Sequence, residues 1–235
     1  MAQKIHPCTY FSSYFRYQPS NRICPYLSGV IILWRHFHAQ VSWPGIREWE
    51  QMRNKWPEFP SAVGCIDVTP HEIQIPSTEP QREFYSGHRH FHLLNTQLIC
   101  DNEGHIRFLQ TGFLGRMHDS QTFRLMEPVG PGRALDLPVG VVLLADKGYP
   151  DHPPLLTPFR QAQIRRMRNN RERRTARKFN FELSRKRVKV EHIFKHLKDY
   201  KCTTFIWRHP RWMLPMVIEL CIFLTERHIS LFEEI

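Results

Sequence analysis

Two apolar runs that stop on a carboxylate constrain this chain more than any other feature. "AVGCID" ends at Asp67 and "VVLLAD" ends at Asp146. Uninterrupted Val, Leu, Ile, Ala and Cys is the composition of a strand buried on both faces, and such strands belong to α/β sheets covered by helices. Their C-terminal ends open into the crevice where ligands bind. One aspartate there is ordinary turn chemistry, and Asp146 before Lys147 and Gly148 can be read that way. Two such ends in one small domain put two carboxylates at one edge if the strands are neighbours. Paired carboxylates repel, and a divalent cation with oxygen ligands relieves them.

The rest of the chain fits strands and helices around those ends. "SWPGIREWEQMRNKW" (42–56) opens with Ser and Pro as a helix does, with Ile46, Trp49, Met52 and Trp56 on one face. Strands are expected at 61–69, 91–100 and 105–113, the last two joined by "DNEG" as an antiparallel hairpin. "HDSQTFRLM" (118–126) predicts a helix capped by Asp119 or Ser120. The segment 151–159 reads as irregular because its prolines supply no amide donors. Residues 160–180 have no apolar face and read as a loop or an exposed helix. A helix over 181–200 starts near Ser184, and a closing helix over 211–232 is interrupted by Pro215. The expected fold class is α/β, a mixed sheet flanked by helices. Residues 1–41 form a poorly readable N-terminal segment, and 42–235 one domain with a basic insertion around 160–180.

Charge points to a polyanionic partner. The chain of 235 residues has a net charge of +11, and residues 160–201 alone hold 16 Lys and Arg against 4 Asp and Glu. Nearly all the excess therefore sits in one segment, which suits sequence-independent contact with phosphates. Arg165, Arg166 and Arg168 lie within it, and Lys147 beside Asp146 is a further candidate for the scissile strand. The six cysteines have no CxxC pair and read as reduced, buried hydrophobes. "HRHFH" (88–92) is the only histidine cluster and has no established zinc spacing. No apolar stretch reaches the roughly 20 residues of a membrane span, and no signal peptide is expected.

Glu191 sits beside Val190 and Phe194 on the apolar half of its helix. A carboxylate buried there should be paired or metal-bound, since burying a lone charge is costly. Arg187 precedes it by four residues and Lys198 follows by seven, along one stripe. The plain alternative is an Arg–Glu helix pair.

The spacing Arg187-x3-Glu191-x6-Lys198 is similar to the R-x3-E-x6-K part of the signature of bacterial insertion-sequence transposases, with Ser184 where that signature has tyrosine. The pieces "FPSAVGCID", "GRMHDSQTF", "LLADKGYP" and "RVKVEHIFKHLK" occur in one order over roughly 42–232 and resemble the DDE superfamily endonuclease domain of PIF/Harbinger-type transposases. Val68 follows the first aspartate where that family usually has glycine, and its helix-turn-helix region is not recognisable in residues 1–40.

The resemblance implies an RNase H-like fold and a metal-dependent endonuclease that hydrolyses or transfers DNA phosphodiester bonds. Asp67, Asp146 and Glu191 match its catalytic carboxylates, and Asp119 a further metal-binding position. Mg²⁺ or Mn²⁺ is the implied cofactor. Arg187, Lys198, Lys147, Arg165, Arg166 and Arg168 are the expected phosphate-binding residues. DNA is the implied partner, with a separate DNA-binding protein supplying sequence recognition, no membrane association, and a nuclear location alongside any cytoplasmic pool. The competing reading is a catalytically inactive, transposase-derived DNA- or partner-binding protein. A ribonuclease of the same fold is a third.

Overall fold

The structure, a computed structural model, describes residues 25–37 and 41–233. In chain order the helices are α1 (Pro25–Phe37), α2 (Ile46–Gln51), α3 (Gln81–Phe84), α4 (Asp119–Leu125), α5 (Gln161–Arg166), α6 (Asn170–Leu197), α7 (Lys201–Thr204) and α8 (Leu214–Glu233). The strands are β1 (Ala62–Glu72), β2 (Tyr85–Ser86), β3 (Phe91–Asp101), β4 (Ile106–Leu114), β5 (Val129–Gly130), β6 (Leu135–Asp136), β7 (Val142–Leu144) and β8 (Leu155–Leu156).

The main sheet runs β2-β3-β1-β7-β8, with β4 also paired to β3. β3 is antiparallel to β1 and β4, whereas β7 and β8 are parallel to their neighbours. The sheet is therefore mixed, as a hairpin followed by a strand after a helical crossover implies. Its two faces bury separate layers. Cys65, Leu98, Cys100 and Leu144 pack with Leu183, Val190, Ile193 and Leu197 of α6 and with α8. Val63, Ile66, Ile99 and Leu143 pack with Trp43, Trp49, Met126 and Tyr149 on the other side. Alternation along each strand sends successive residues to opposite layers.

"DNEG" turns the β3–β4 hairpin through one side chain. Asp101 Oδ1 accepts from the amides of Glu103, Gly104 and His105 at 2.9–3.0 Å, and Oδ2 accepts from Arg107 at 2.7 Å. That network lets a fully buried carboxylate remain in the core.

Several expectations are corrected. The helix expected over 42–56 is the shorter α2, with Ile46 exposed. The segment 151–159 is not wholly irregular, because Leu155–Leu156 pairs with β7 as β8. Helix α6 starts not near Ser184 but at Asn170, where Asn169 Oδ1 accepts the Glu172 amide at 2.8 Å. It takes in about half of the basic segment 160–180, so of the two readings offered for that segment the exposed helix holds there. Ala176 and Leu183 are the only buried residues in the first half of α6, too sparse to read as a face. Pro215 stands in the first turn of α8, where its missing amide costs nothing. Cys65, Cys100 and Cys221 are buried, but Cys202 is exposed; Cys8 and Cys24 lie outside the described residues. No helix among the described residues is long and apolar enough to cross a membrane.

Candidate active site

The register of β1 on β7 sets the site. Gly64 pairs with Leu143 and Cys65 with Leu144, so Asp67 and Asp146 each stand two residues beyond the same step. Alternation turns both toward the layer that α6 covers. The close contact of β1 with β3 depends on Gly64, where a Cβ would meet the Cys100 carbonyl oxygen at 2.2 Å.

From α6, Arg187 reaches both carboxylates. Its Nη2 donates to Asp67 Oδ2 at 2.7 Å, and its Nη1 lies 3.7 Å from Asp146 Oδ1. Asp67 Oδ1 accepts the Val68 amide at 2.9 Å. Arg187 is buried, and its Nε has no partner among the described residues. The guanidinium is therefore the present counter-charge of the two strand ends, and not an outward-facing cation.

Asp119 joins them from the first turn of α4. The residue before the helix is His118, whose amide donates to Gln121 Oε1 at 3.1 Å, so the capping role expected of Asp119 falls to Gln121. Gly148, two residues past Asp146, packs on the Asp119 carboxylate; a Cβ there would stand 2.4 Å from Oδ2. One loop thus supplies Asp146 and fits Asp119 against it.

Two of the carboxylates, Asp67 and Asp119, are perturbed by burial and by their neighbours. Burial pushes the Asp67 carboxyl up from 3.8 to about 6, against the pull of Arg187 and the Val68 amide, and the charges of Asp119 and Asp146 add to the rise. Burial and the Asp146 charge raise Asp119. Behind them the buried Tyr149 hydroxyl has no hydrogen-bond partner among the described residues, and burial with the Asp67 and Asp119 charges raises it well above its ordinary value.

Asp67, Asp119 and Asp146 line one cleft of about 610 Å³ with Glu191, Lys147 and Arg187. Glu191 is exposed and not the buried charge expected; the buried charge on that face of α6 is Arg187. Lys198 caps the end of α6 and does not line the cleft, nor do Arg165, Arg166 and Arg168, which are exposed on and just after α5. Sequence reasoning missed His88, Arg89 and His118, which also line it. Arg89 lies close enough to Lys198 that its charge, after burial, helps lower the lysine. "HRHFH" is the motif that could have pointed there.

Among the described residues no three His, Cys, Asp or Glu side chains form a metal site as they stand. The donor chemistry nonetheless fits a hard divalent cation. The set is all carboxylate, and the charges of Asp119 and Asp146 add to the rise of Asp67, as that of Asp146 adds to the rise of Asp119.

The family model described as DDE superfamily endonuclease matches residues 66–226. The chain is 31% identical over 149 residues to a probable transposase for insertion sequence element IS702 of Microchaete diplosiphon, covering 61% of this chain and 49% of that one. It is 32% identical over 99 residues to the putative nuclease HARBI1 of Xenopus laevis, covering 42% of this chain and 28% of that one. It thus spans about half or less of the length of these relatives. No solved structure matches. The mixed sheet with helices on its faces is the RNase H-like arrangement of DDE domains, and this chain belongs to the DDE superfamily endonuclease family.

Proposed function

We propose that the chain is a divalent-metal-dependent endonuclease acting on DNA phosphodiester bonds. The observation that supports this most is the meeting of Asp67 and Asp146, from two parallel strand ends, on one buried guanidinium in a cleft shared with Asp119 and Glu191. Those four carboxylates would hold Mg²⁺ or Mn²⁺, which when bound supplies an activated water and a counter-charge for the leaving oxygen. The chain's own part is to hold the carboxylates in register on the sheet, with Gly148 fitting Asp119 and Arg187 balancing their charge. Lys147 and Arg89 at the cleft wall suit the phosphates on either side of the scissile bond. The exposed Arg165, Arg166 and Arg168 suit the duplex backbone beyond it. In this reading a separate protein supplies sequence recognition, in the nucleus.

A second reading draws on the same ion pairs. If Arg187 holds Asp67 and Asp146 permanently, the cleft is a DNA- or partner-binding surface without cleavage. Nicking of supercoiled plasmid separates the two. Wild type should relax the plasmid in Mg²⁺ or Mn²⁺ and not with a chelator, and Asp67→Asn and Asp146→Asn should be inactive. Binding without metal-dependent nicking would favour the inactive protein.

A further inference from the structure

A second surface adjoins the cleft and is built to hold a flexible polyanion with flat apolar groups. The segment 85–92 is the wall between them. Ser86, His88 and Arg89 line the catalytic cleft, whereas Tyr85, His90, Phe91 and His92 line a neighbouring hollow of about 700 Å³. His90 makes this division sharp, with a backbone φ of 64° in the left-handed region and its amide bonded to the Ser86 carbonyl at 2.8 Å. A third hollow of about 510 Å³, containing Lys201 and Phe205, shares Ile206 and Arg208 with the second.

The far wall is clipped to the strand that carries Asp67. The Trp207 amide donates to the Glu72 carbonyl and the Gln74 amide to the Trp207 carbonyl, both at 2.9 Å. The hollows therefore begin where β1 ends, about 16 Å along the strand from Asp67 at roughly 3.3 Å per residue.

The lining is unusual for a solvated surface. Phe205 is 64% exposed, and Ile75, Tyr85 and Ile206 are also exposed large apolar side chains. Lys201 Nζ stands 5.6 Å from the Phe205 ring centre. Neither Lys201 nor Arg208 forms an ion pair with another described residue. His90, His92 and His209 add polar edges, and Glu72 is the one acid in the two linings. Aromatic faces interleaved with unpaired cations suit bases that stack and phosphates that are neutralised.

We propose that these joined hollows bind a single-stranded DNA segment running from the cleft, stacking bases on Phe205 and Tyr85 and contacting phosphates through Arg208 and Lys201. This rests on the reading of the cleft as a DNA site. A duplex presents its bases edge-on and cannot use the aromatic faces, so the surface discriminates a frayed or tailed end from a blunt one.

Fluorescence anisotropy on the full chain, with chelator present, tests it. The probes are a blunt duplex and the same duplex with a single-stranded thymidine tail on either strand. One tailed form should bind at least about tenfold tighter than blunt. Phe205→Ala and Tyr85→Ala should each remove most of that gain and leave blunt-duplex affinity and melting temperature unchanged, since both rings are exposed. Arg208→Gln should reduce the gain and its salt dependence while sparing both rings. No gain from either tail, or a gain that survives the aromatic double variant, would overturn the proposal while leaving the duplex reading intact. Tail-dependent binding with no affinity for the blunt duplex would instead sink the duplex reading and keep the groove.

Discussion

Arg187 donates to Asp67 at 2.7 Å and stands 3.7 Å from Asp146, so one buried guanidinium joins the ends of two parallel strands. Its charge opposes the carboxylate repulsion that burial aggravates. Replacing it by methionine keeps the volume and removes the charge. Arg187→Met should lose about 3–5 kcal/mol at neutral pH, as breaking a buried ion pair does. Urea unfolding should find that loss shrinking as the pH falls from about 6 toward 4 and Asp67 takes up its proton. An equal loss at all pH values would assign the effect to packing alone.

Two glycines should fail in different ways. A Cβ at Gly64 meets the Cys100 carbonyl, a backbone atom in a sheet neighbour that cannot move aside. A Cβ at Gly148 meets the Asp119 carboxylate, a side chain at the rim of the cleft. Gly64→Ala should therefore melt early or fail to fold. Gly148→Ala should keep its melting temperature within a few degrees and lose most plasmid nicking. Full nicking by Gly148→Ala would remove Asp119 from the site.

Glu219 and His71 predict opposite pH effects on stability. Burial raises Glu219 from 4.5 to about 7, opposed by the Trp34 indole that donates to it. Between those values the folded chain keeps a proton that the unfolded chain has lost, so this contribution is full below 4.5 and lost as pH rises through 7. Burial lowers His71 from 6.5 to about 4, so its contribution is full above 6.5 and lost as pH falls through 4. The stability of Glu219→Gln relative to wild type should thus rise by up to about 3 kcal/mol from pH 4.5 to above 7. For His71→Gln the relative gain should appear on acidification. Parallel stability–pH curves for wild type and either variant would refute that assignment.

Because Glu191 is exposed, Glu191→Gln should change stability by less than about 0.5 kcal/mol. Nicking should nevertheless disappear. Millimolar Mn²⁺ should raise the melting temperature of wild type and raise that of Glu191→Gln less. Equal rises would place the metal away from Glu191.

On the proposed reading, the exposed arginines around α5 set the salt dependence of duplex binding. Changing Arg165, Arg166 and Arg168 to Gln should flatten the plot of log affinity against log salt by about 0.9 for each one that neutralises a phosphate. Arg173 is a poor member of that set, because it donates to the Met167 and Arg165 carbonyls at 3.2 and 3.3 Å and braces the junction of α5 with α6. An unchanged slope in the triple variant would make those three arginines a solvated face.

Local pattern determined much of the frame. The strand ends at Asp67 and Asp146, the "DNEG" hairpin, the short helix after His118 and the carboxylate character of the site are all legible in the sequence. Burial of a strand and the chemistry of a turn act over a few residues, and residues close in sequence report them. Tertiary structure alone decided what each face meets. Helical spacing groups Arg187, Glu191 and Lys198 on one stripe, but it does not say that Arg187 goes under to Asp67, that Glu191 stays at the cleft mouth, or that Lys198 ends beside Arg89. Likewise "HRHFH" reads as a histidine cluster, and only the turn at His90 sends His88 and Arg89 to one hollow and His92 to another. Those partners are separated by long stretches of chain, as Asp67 is from Arg187, and their meeting depends on sheet register and helix docking, which no single stretch of sequence encodes.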